Sequence, residues 1–266
     1  MNTLKILTCN IRYYGANDGQ NDWTHRRDFC ADVIAAQAAD VVCMQEMWAQ
    51  QRADLVARLP EYGHFGMLDE PVDGQPVNTI FYRTDAFTLL DAGGYWLSAT
   101  PHVSGSSSWD SACVRLANWV MLAPRGGGTT RIRVLNTHLD HVSQPAREGQ
   151  ASLLVEDAQA YGDSLVQVLT GDLNCDESNP AIDALCKGGW QDSYEAVHGT
   201  SDPGLTYHAF KGPHYSPEVR VGKMDWIFLR GAATATDAQI LDEARDGKYP
   251  SDHYFVSAVI NLASSR

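Results

Sequence analysis

Apolar runs recur along this chain, and their spacing predicts an alternation of short strands and helices. Residues 4–11 alternate apolar and polar positions as a half-buried strand does, with Asn10 near the end of the run. Residues 25–39 (HRRDFCADVIAAQAA) carry apolar positions at helical spacing and stop at Asp40. VVCMQ then reads as a short buried strand that delivers Glu46. QRADLVARL (51–59) predicts a short amphipathic helix ended by Pro60. Further strands are expected over 79–83, 87–98, 117–123 and 130–140, the last set off by a turn from Pro124 to Gly128. A helix over 145–160 precedes LVQVLTGDLN, read as a strand with a polar turn at its end. A short helix over 180–186 and closing strands over 224–231 and 254–262 complete an α/β pattern.

Between these elements, residues 99–111 and 199–222 are rich in Gly, Ser, Pro and His, yet carry Trp109, Tyr207 and Phe210. Large aromatics in long loops point to loops lying over an active face rather than linkers. No shift in composition marks a boundary, so residues 1–266 are expected to form a single domain. The overall make-up, 44% apolar and 20% charged, is that of a soluble globular protein, and no apolar stretch approaches the roughly 18 residues of a membrane span. MNTLKILTCN reads as the first strand rather than as a signal peptide.

The six cysteines show no CxxC or CxxH spacing, and several sit inside apolar runs. They read as reduced thiols, which suits a cytoplasmic setting; Cys175 stands out because it follows Asn174 directly. With 33 acidic residues against 20 basic, the net charge is −13. That balance argues against a non-specific grip on a long nucleic-acid backbone, which needs clustered Lys and Arg. It leaves nuclease chemistry open, since a divalent cation can neutralise a reacting phosphate locally.

The informative feature is what stands at the ends of the apolar runs. In chain order these are Asn10, Glu46, the segment NTHLDH (136–141), the segment GDLN (171–174), and Ser251-Asp252-His253 opening the run YFVSAVI. Strand ends are where an α/β sheet presents its chemistry. Carboxylates, carboxamides and imidazoles suit a hard divalent cation and a phosphate ester. Asp172 and Asn174, two apart in an extended turn, can point the same way. Each group alone has a plainer reading: an Asx turn for GDLN, a surface carboxylate for Glu46, a cap for Asp252-His253, a core imidazole for His138. Their order and complementarity favour one site.

The chain resembles the endonuclease/exonuclease/phosphatase family on CNIRY with Asn10, MQE with Glu46, NTHLDH with His138, GDLN with Asp172 and Asn174, KMDWIF with Asp225, and SDH with Asp252 and His253. These run from the first strand to the last, while NDWTHRRD, YWLS, SSSWD and RLANW resemble a bacterial subgroup. The resemblance implies a four-layered α-β-β-α sandwich of two mostly antiparallel sheets with outer helices. It also implies that Glu46, supported by Asn10 and Asp252, holds Mg²⁺ or Mn²⁺. His253 would be the general base, oriented by Asp225; Asp172 would place the nucleophile or a second metal; and Asn174 and His138 would bind phosphoryl oxygens. Arg115, Arg147, His141 and His208 are further candidates for substrate contact, and the TYHAFKG loop with Lys211 resembles one that lines the pocket in the family.

One departure stands out. Many relatives carry a Glu just before the strand read here as TIFYR, where it pairs with the first His. This chain has Gln75-Pro76, with Asp73 or Glu70 as possible substitutes. The expected activity is hydrolysis of a compact phosphate ester. A nuclease is the alternative, disfavoured because the two long loops carry only Lys211 and Arg220 as Lys or Arg. A catalytically silent binding module is the rival of another class, and the retained Glu, GDxN and SDH groups argue against it.

Overall fold

The computed structural model describes residues 3–127, 129–199, 202–218 and 222–262. Its strands are β1 (Thr3–Asn10), β2 (Val41–Gln45), β3 (Tyr62–Phe65), β4 (Ile80–Arg83), β5 (Phe87–Trp96), β6 (Leu116–Pro124), β7 (Ile132–His138), β8 (Val166–Asp172), β9 (Gln191–Asp192), β10 (Asp225–Arg230), β11 (Ala233–Leu241) and β12 (Phe255–Leu262). The helices are α1 (Trp23–Gln37), α2 (Ala49–Arg58), α3 (Gln144–Gln159), α4 (Pro180–Lys187) and α5 (Ser193–His198). Gly128, the far end of the expected turn, and Arg220 lie outside the described residues.

Two six-stranded sheets result, in the orders β11-β12-β1-β2-β4-β3 and β5-β6-β7-β8-β10-β9. Each holds one parallel pair, β1 with β2 and β7 with β8, among antiparallel neighbours. The cause is local: α1 joins the first pair and α3 the second, and a helical crossover returns the chain in the same direction.

Alternation along the strands builds four layers. Leu4 and Ile6 of β1 and Val41 and Cys43 of β2 face Val134, Val168 and Ile227 of the other sheet. Their neighbours Leu7, Cys9, Val42 and Met44 face Ile34 of α1 and Leu55 of α2. On the far side Leu135 and Leu169 pack under Leu154 of α3 and Leu185 of α4. Each such side chain, fully withdrawn from water, contributes about 1.5–3 kcal/mol. This is the expected α-β-β-α sandwich.

β3, β9, β11 and α5 were not foreseen from the pattern. β11 (ATATDAQIL) offers small Ala233, Ala235 and Ala238 to the core against Thr and Asp outside, too little contrast to read as a strand, and its register shifts between Ala235 and Asp237. β9 has two residues and β3 four, both on sheet edges.

Toward one end the sandwich interior turns polar. The Gln45 Nε2 donates to Thr8 Oγ1 at 3.0 Å and to Asn136 Oδ1 at 2.6 Å, and Asn136 Nδ2 donates to the carbonyls of Met44 (3.0 Å) and Thr79 (3.2 Å). The Gln45–Asn136 bond ties one sheet to the other in a buried setting, where an unmade bond is expensive. Asn136→Ala leaves the Gln45 amide and two carbonyls short of partners. It is expected to lower stability by about 2–4 kcal/mol, read as a lower urea midpoint at unchanged slope.

Candidate active site

The polar end of the sandwich is where β1, β2, β7 and β8 finish and where β10 and β12 begin. The parallel pairs bring their last residues out side by side, His138 opposite Asp172 and Asn10 opposite Gln45. β10 returns antiparallel with Asp225 opposite Asp172. Gly171 allows the approach of β7 and β8, since a Cβ there would lie 2.2 Å from the Thr137 carbonyl oxygen.

A cleft of about 800 Å³ opens at this end. Glu46, Asp172, Asn174, His138, Asp252, His253, Arg115 and His141 line it. Asn10 and Asp225 lie directly beneath, both 1% exposed and bonded to lining residues. Arg147 and His208 are not brought to the cleft. The Arg147 guanidinium donates to the Asp140 carbonyl (2.9 Å) and to Gln144 Oε1 (3.1 and 2.7 Å), so it fastens the start of α3 instead of reaching a ligand. His208 is buried between Tyr249 and Tyr254, ring centroids 4.6 and 4.1 Å away, and braces the site from behind. Lys211 is likewise absent from the lining, where Tyr207 represents that loop.

The geometry is tight. His253 Nδ1 lies 2.8 Å from Asp225 Oδ2, leaving Nε2 facing Asp172 Oδ2 at 3.8 Å. His138 Nε2 lies 3.4 Å from the same Asp172 oxygen. Asp172 Oδ1 accepts the Asn174 backbone N–H at 2.9 Å. The Asn174 side chain donates to the Leu139 carbonyl at 3.0 Å. Asn10 Nδ2 donates to Glu46 Oε1 (3.0 Å) and Asp172 Oδ2 (2.9 Å), and its Oδ1 accepts the Arg12 N–H (3.0 Å). It joins two carboxylates from opposite sheets. Glu46 Oε2 accepts the Tyr13 N–H at 3.1 Å. Arg115 Nη2 and His141 Nδ1 meet at 3.2 Å.

Electrostatics follow from crowding. Burial, and then the negative charge of Asp225, push the Asp172 carboxyl well above the usual carboxylate range. Burial, and after it Glu46, raise Asp252 against the opposing effect of His253. Burial alone would lower His253, but Asp225, Asp172 and Asp252 outweigh it and hold the imidazole well above its ordinary value. His138 goes the other way, lowered by burial and then by Arg115, so it is neutral at pH 7. One carboxylate oxygen, Asp225 Oδ1, is buried without a hydrogen-bond partner among the described residues.

This donor set fits a divalent cation. Glu46, Asp172 and Asp252 offer hard oxygens in one cleft, and burial together with neighbouring carboxylates makes two of the three easier to protonate than ordinary carboxyls. Among the described residues, Asp172, Asp225 and His253 form a group of potential ligand atoms that all lie within 4.8 Å of one another. Since Asp225 and His253 already bond each other, that group reads as an imidazole–carboxylate pair beside Asp172.

The departure at Gln75 also resolves. Gln75 accepts the Ala49 N–H (2.9 Å) in an exposed loop, and neither Glu70 nor Asp73 lines the cleft. Asp69 does, with its Oδ1 accepting the N–H groups of Glu70 (2.9 Å) and Gln75 (2.6 Å). Asn78, at the entry to β4, lines it as well. Of the cleft's aromatic walls, sequence reasoning found Tyr207 and missed Tyr13, Trp48 and Tyr215. Tyr13 stacks on Trp48 (centroids 5.5 Å, 26°) on one side, and Tyr207 meets Tyr215 edge-on (5.4 Å, 83°) on another. Tyr13 and Trp48 stand within three residues of Asn10 and Glu46, a signal that was readable; Tyr215 carried none.

Comparison with known proteins agrees with this fold. The model of the Endonuclease/Exonuclease/phosphatase family matches residues 7–253. A protein of that family from Bacteroides vulgatus is 29% identical, with a TM-score of 0.88 over 99% of this chain and 100% of its own. A mannosyl-6-phosphatase from Bacteroides thetaiotaomicron is 27% identical, with a TM-score of 0.88 over 97% of this chain and 100% of its own. TDP2 from D. rerio, complexed with single strand DNA product, shares the fold at 17% identity, with a TM-score of 0.77 over 98% of this chain and 99% of its own. No curated protein sequence matches the chain.

Burial, reinforced by His253, holds the His208 imidazole down to about 4 from an ordinary 6.5, and its buried Nε2 has no partner among the described residues. A base whose folded value is depressed takes up a proton on unfolding as the pH falls. The contribution of His208 is therefore complete above about pH 6.5 and lost as the pH drops toward about 4. His208→Phe keeps a ring between the two tyrosines but cannot titrate. Its unfolding midpoint is expected to fall less steeply than the wild type's across that window; equal slopes in a pH series of thermal melts would refute the assignment.

Proposed function

The chain belongs to the endonuclease/exonuclease/phosphatase family and is a phosphoesterase, and from that premise we propose that it hydrolyses a compact phosphate monoester, of the sugar-phosphate kind, by in-line attack of water. The observation that carries the reading is the convergence, from both sheets, of the His253–Asp225 pair and the carboxylates of Glu46, Asp172 and Asp252 on one cleft. We treat residues 1–266 as one domain, which the family match over 7–253 supports.

In this reading His253 removes the proton of the attacking water at Nε2, because Nδ1 is engaged with Asp225. Asp172, facing that nitrogen, orients the water. Neutral His138, Asn174, Arg115 and His141 contact the phosphoryl oxygens as charge builds on them. A divalent cation, Mg²⁺ or Mn²⁺, held by Glu46 with Asp252 and Asp172, would supply positive charge against those oxygens and favour the neutral imidazole that a base requires. Asn10 keeps Glu46 and Asp172 at a fixed separation.

A compact substrate is supported by the walls of the cleft. Tyr13, Trp48, Tyr207 and Tyr215 offer flat apolar faces of the sort that pack on a sugar ring, and Arg12 and Arg115 are the Lys or Arg residues of the lining. A polyanion gains affinity in proportion to the phosphates it has neutralised, which this surface and a net charge of −13 do not favour. The 27% identity to a mannosyl-6-phosphatase over nearly the whole chain points the same way. The buried free thiols Cys9, Cys30, Cys43 and Cys175 suit a reducing, cytoplasmic setting.

The test is a panel of sugar phosphates, phosphodiesters, DNA and RNA, assayed with Mg²⁺ and with Mn²⁺. Sugar monoesters are expected to turn over fastest; tight DNA binding with a steep salt slope and faster DNA cleavage would overturn the substrate reading. Independently of turnover, Mg²⁺ or Mn²⁺ should raise the melting temperature of the wild type by mass action. In Glu46→Gln that rise is expected to shrink to a small fraction, whereas an undiminished shift would remove Glu46 from the cation site.

A further inference from the structure

The two members of the His253–Asp225 pair come from different sheets: Asp225 opens β10, and His253 precedes β12. A segment from neither sheet lies between them. Thr206, fully buried, accepts two backbone N–H groups on its hydroxyl oxygen, from Met224 at 2.9 Å and from Asp225 itself at 3.2 Å. Its own carbonyl accepts the Tyr254 N–H at 2.8 Å. Tyr207 forms an antiparallel bridge with His253, and the N–H groups of His208 and Ala209 donate to the Asp252 carbonyl at 2.8 and 3.1 Å. Residues 206–209 therefore grip the backbone of Asp225 on one side and that of residues 252–254 on the other.

Resting on the functional reading above, we propose that Thr206 is a positioning residue for the His253–Asp225 pair. A hydroxyl oxygen has two lone pairs, and here both are directed to the backbone that carries the carboxylate. Through one residue the start of β10 and the entry to β12 are held at a fixed spacing. Without that acceptor the buried Asp225 N–H loses its bond to Thr206, and the start of β10 is tied less firmly to the segment that carries His253. Displacements of about 1 Å at reacting groups lower rates by about 100-fold. The β-branched side chain of Val reproduces the shape of Thr without its oxygen, and Ser reproduces the oxygen without the methyl.

The test compares Thr206→Val, Thr206→Ala and Thr206→Ser in the Mg²⁺-loaded full chain. Two readouts separate positioning from support of the fold. One is the low-field proton resonance of His253 Nδ1 in ¹⁵N-histidine-labelled protein, identified by its absence in His253→Gln. The other is the division of any loss between kcat and KM on the best ester of the panel. Val and Ala are expected to abolish or broaden the resonance and to lower kcat by about 10- to 100-fold with KM changed less than about threefold. Ser should keep the resonance and most of kcat. Retention of resonance and kcat by folded Thr206→Val overturns the proposal, as does an equal loss in Thr206→Ser; if Val prevents folding, Ala decides on the same readouts. Absence of turnover on every ester would count against the functional reading alone, because the resonance needs no substrate.

Discussion

Four carboxylates, half-buried Glu46 and buried Asp172, Asp225 and Asp252, are gathered at one end of the sandwich, and their withdrawal from water constrains everything around them. A buried charge is tolerated only with partners, and like charges brought together raise one another's pKa. The partners are specific: Asn10 for Glu46 and Asp172, the Asn174 N–H for Asp172, the Tyr13 N–H for Glu46, Ser251 Oγ for Asp252 and His253 for Asp225. Arg12 Nε also lies 3.7 Å from Asp252 Oδ2, yet burial, followed by Asp225 for Asp172 and with Glu46 for Asp252, still raises both carboxyls. The fold thus maintains a withdrawn centre rich in carboxylates, which is a setting that attracts a divalent cation.

Topology makes this concentration possible. Parallel pairs expose their final residues at one edge, so two helical crossovers suffice to bring Asn10 beside the end of β2 and His138 beside Asp172. Antiparallel returns then add Asp225 and His253 from strands that start where the others stop. The polar ties between the sheets, Gln45 to Asn136 and Asn10 to Asp172, lie at the same end. They fix the sheets relative to each other where the chemistry depends on it, while aliphatic packing suffices elsewhere.

This division explains what could be read from the sequence. The central strands β1, β2, β7, β8, β10 and β12 were legible because burial makes them rich in apolar positions, alternating in β1 and closer to runs in the others, and the polar residues at their ends became conspicuous by contrast. The edge strands β3 and β9 and the Ala-rich β11 bury too little to leave such a signature. The same limit separates Arg115 and His141, which reach the cleft, from Arg147 and His208, which do not. Arg147 stands near the site in sequence, yet α3 turns its guanidinium back to a carbonyl and to Gln144. His208 sits on a pocket-forming loop whose backbone points it inward to two tyrosines. Side-chain direction in loops is decided by backbone contacts that no periodicity reports.

Glu46 differs from Asn10, His138, Asp172 and Asp225, which are terminal residues of their strands, in lying just past one. Inside a strand, successive side chains point either to the opposite sheet or to the helix layer, and neither direction meets solvent. A residue beyond the last ladder pair is free to turn its side chain along the strand axis into the cleft. Glu46 does so immediately after β2 by adopting a left-handed backbone, φ +61°, a conformation that costs a non-glycine residue about 1–2 kcal/mol. Asn174 makes the same kind of turn after β8, φ +52°, at lower cost because Asn tolerates it. The bonds from Asn10 and Tyr13 to the Glu46 carboxylate hold that strained turn in place. Backbone strain, inter-sheet spacing and the negative charge of the centre are therefore coupled through one side chain, and a change at Asn10 is felt in all three.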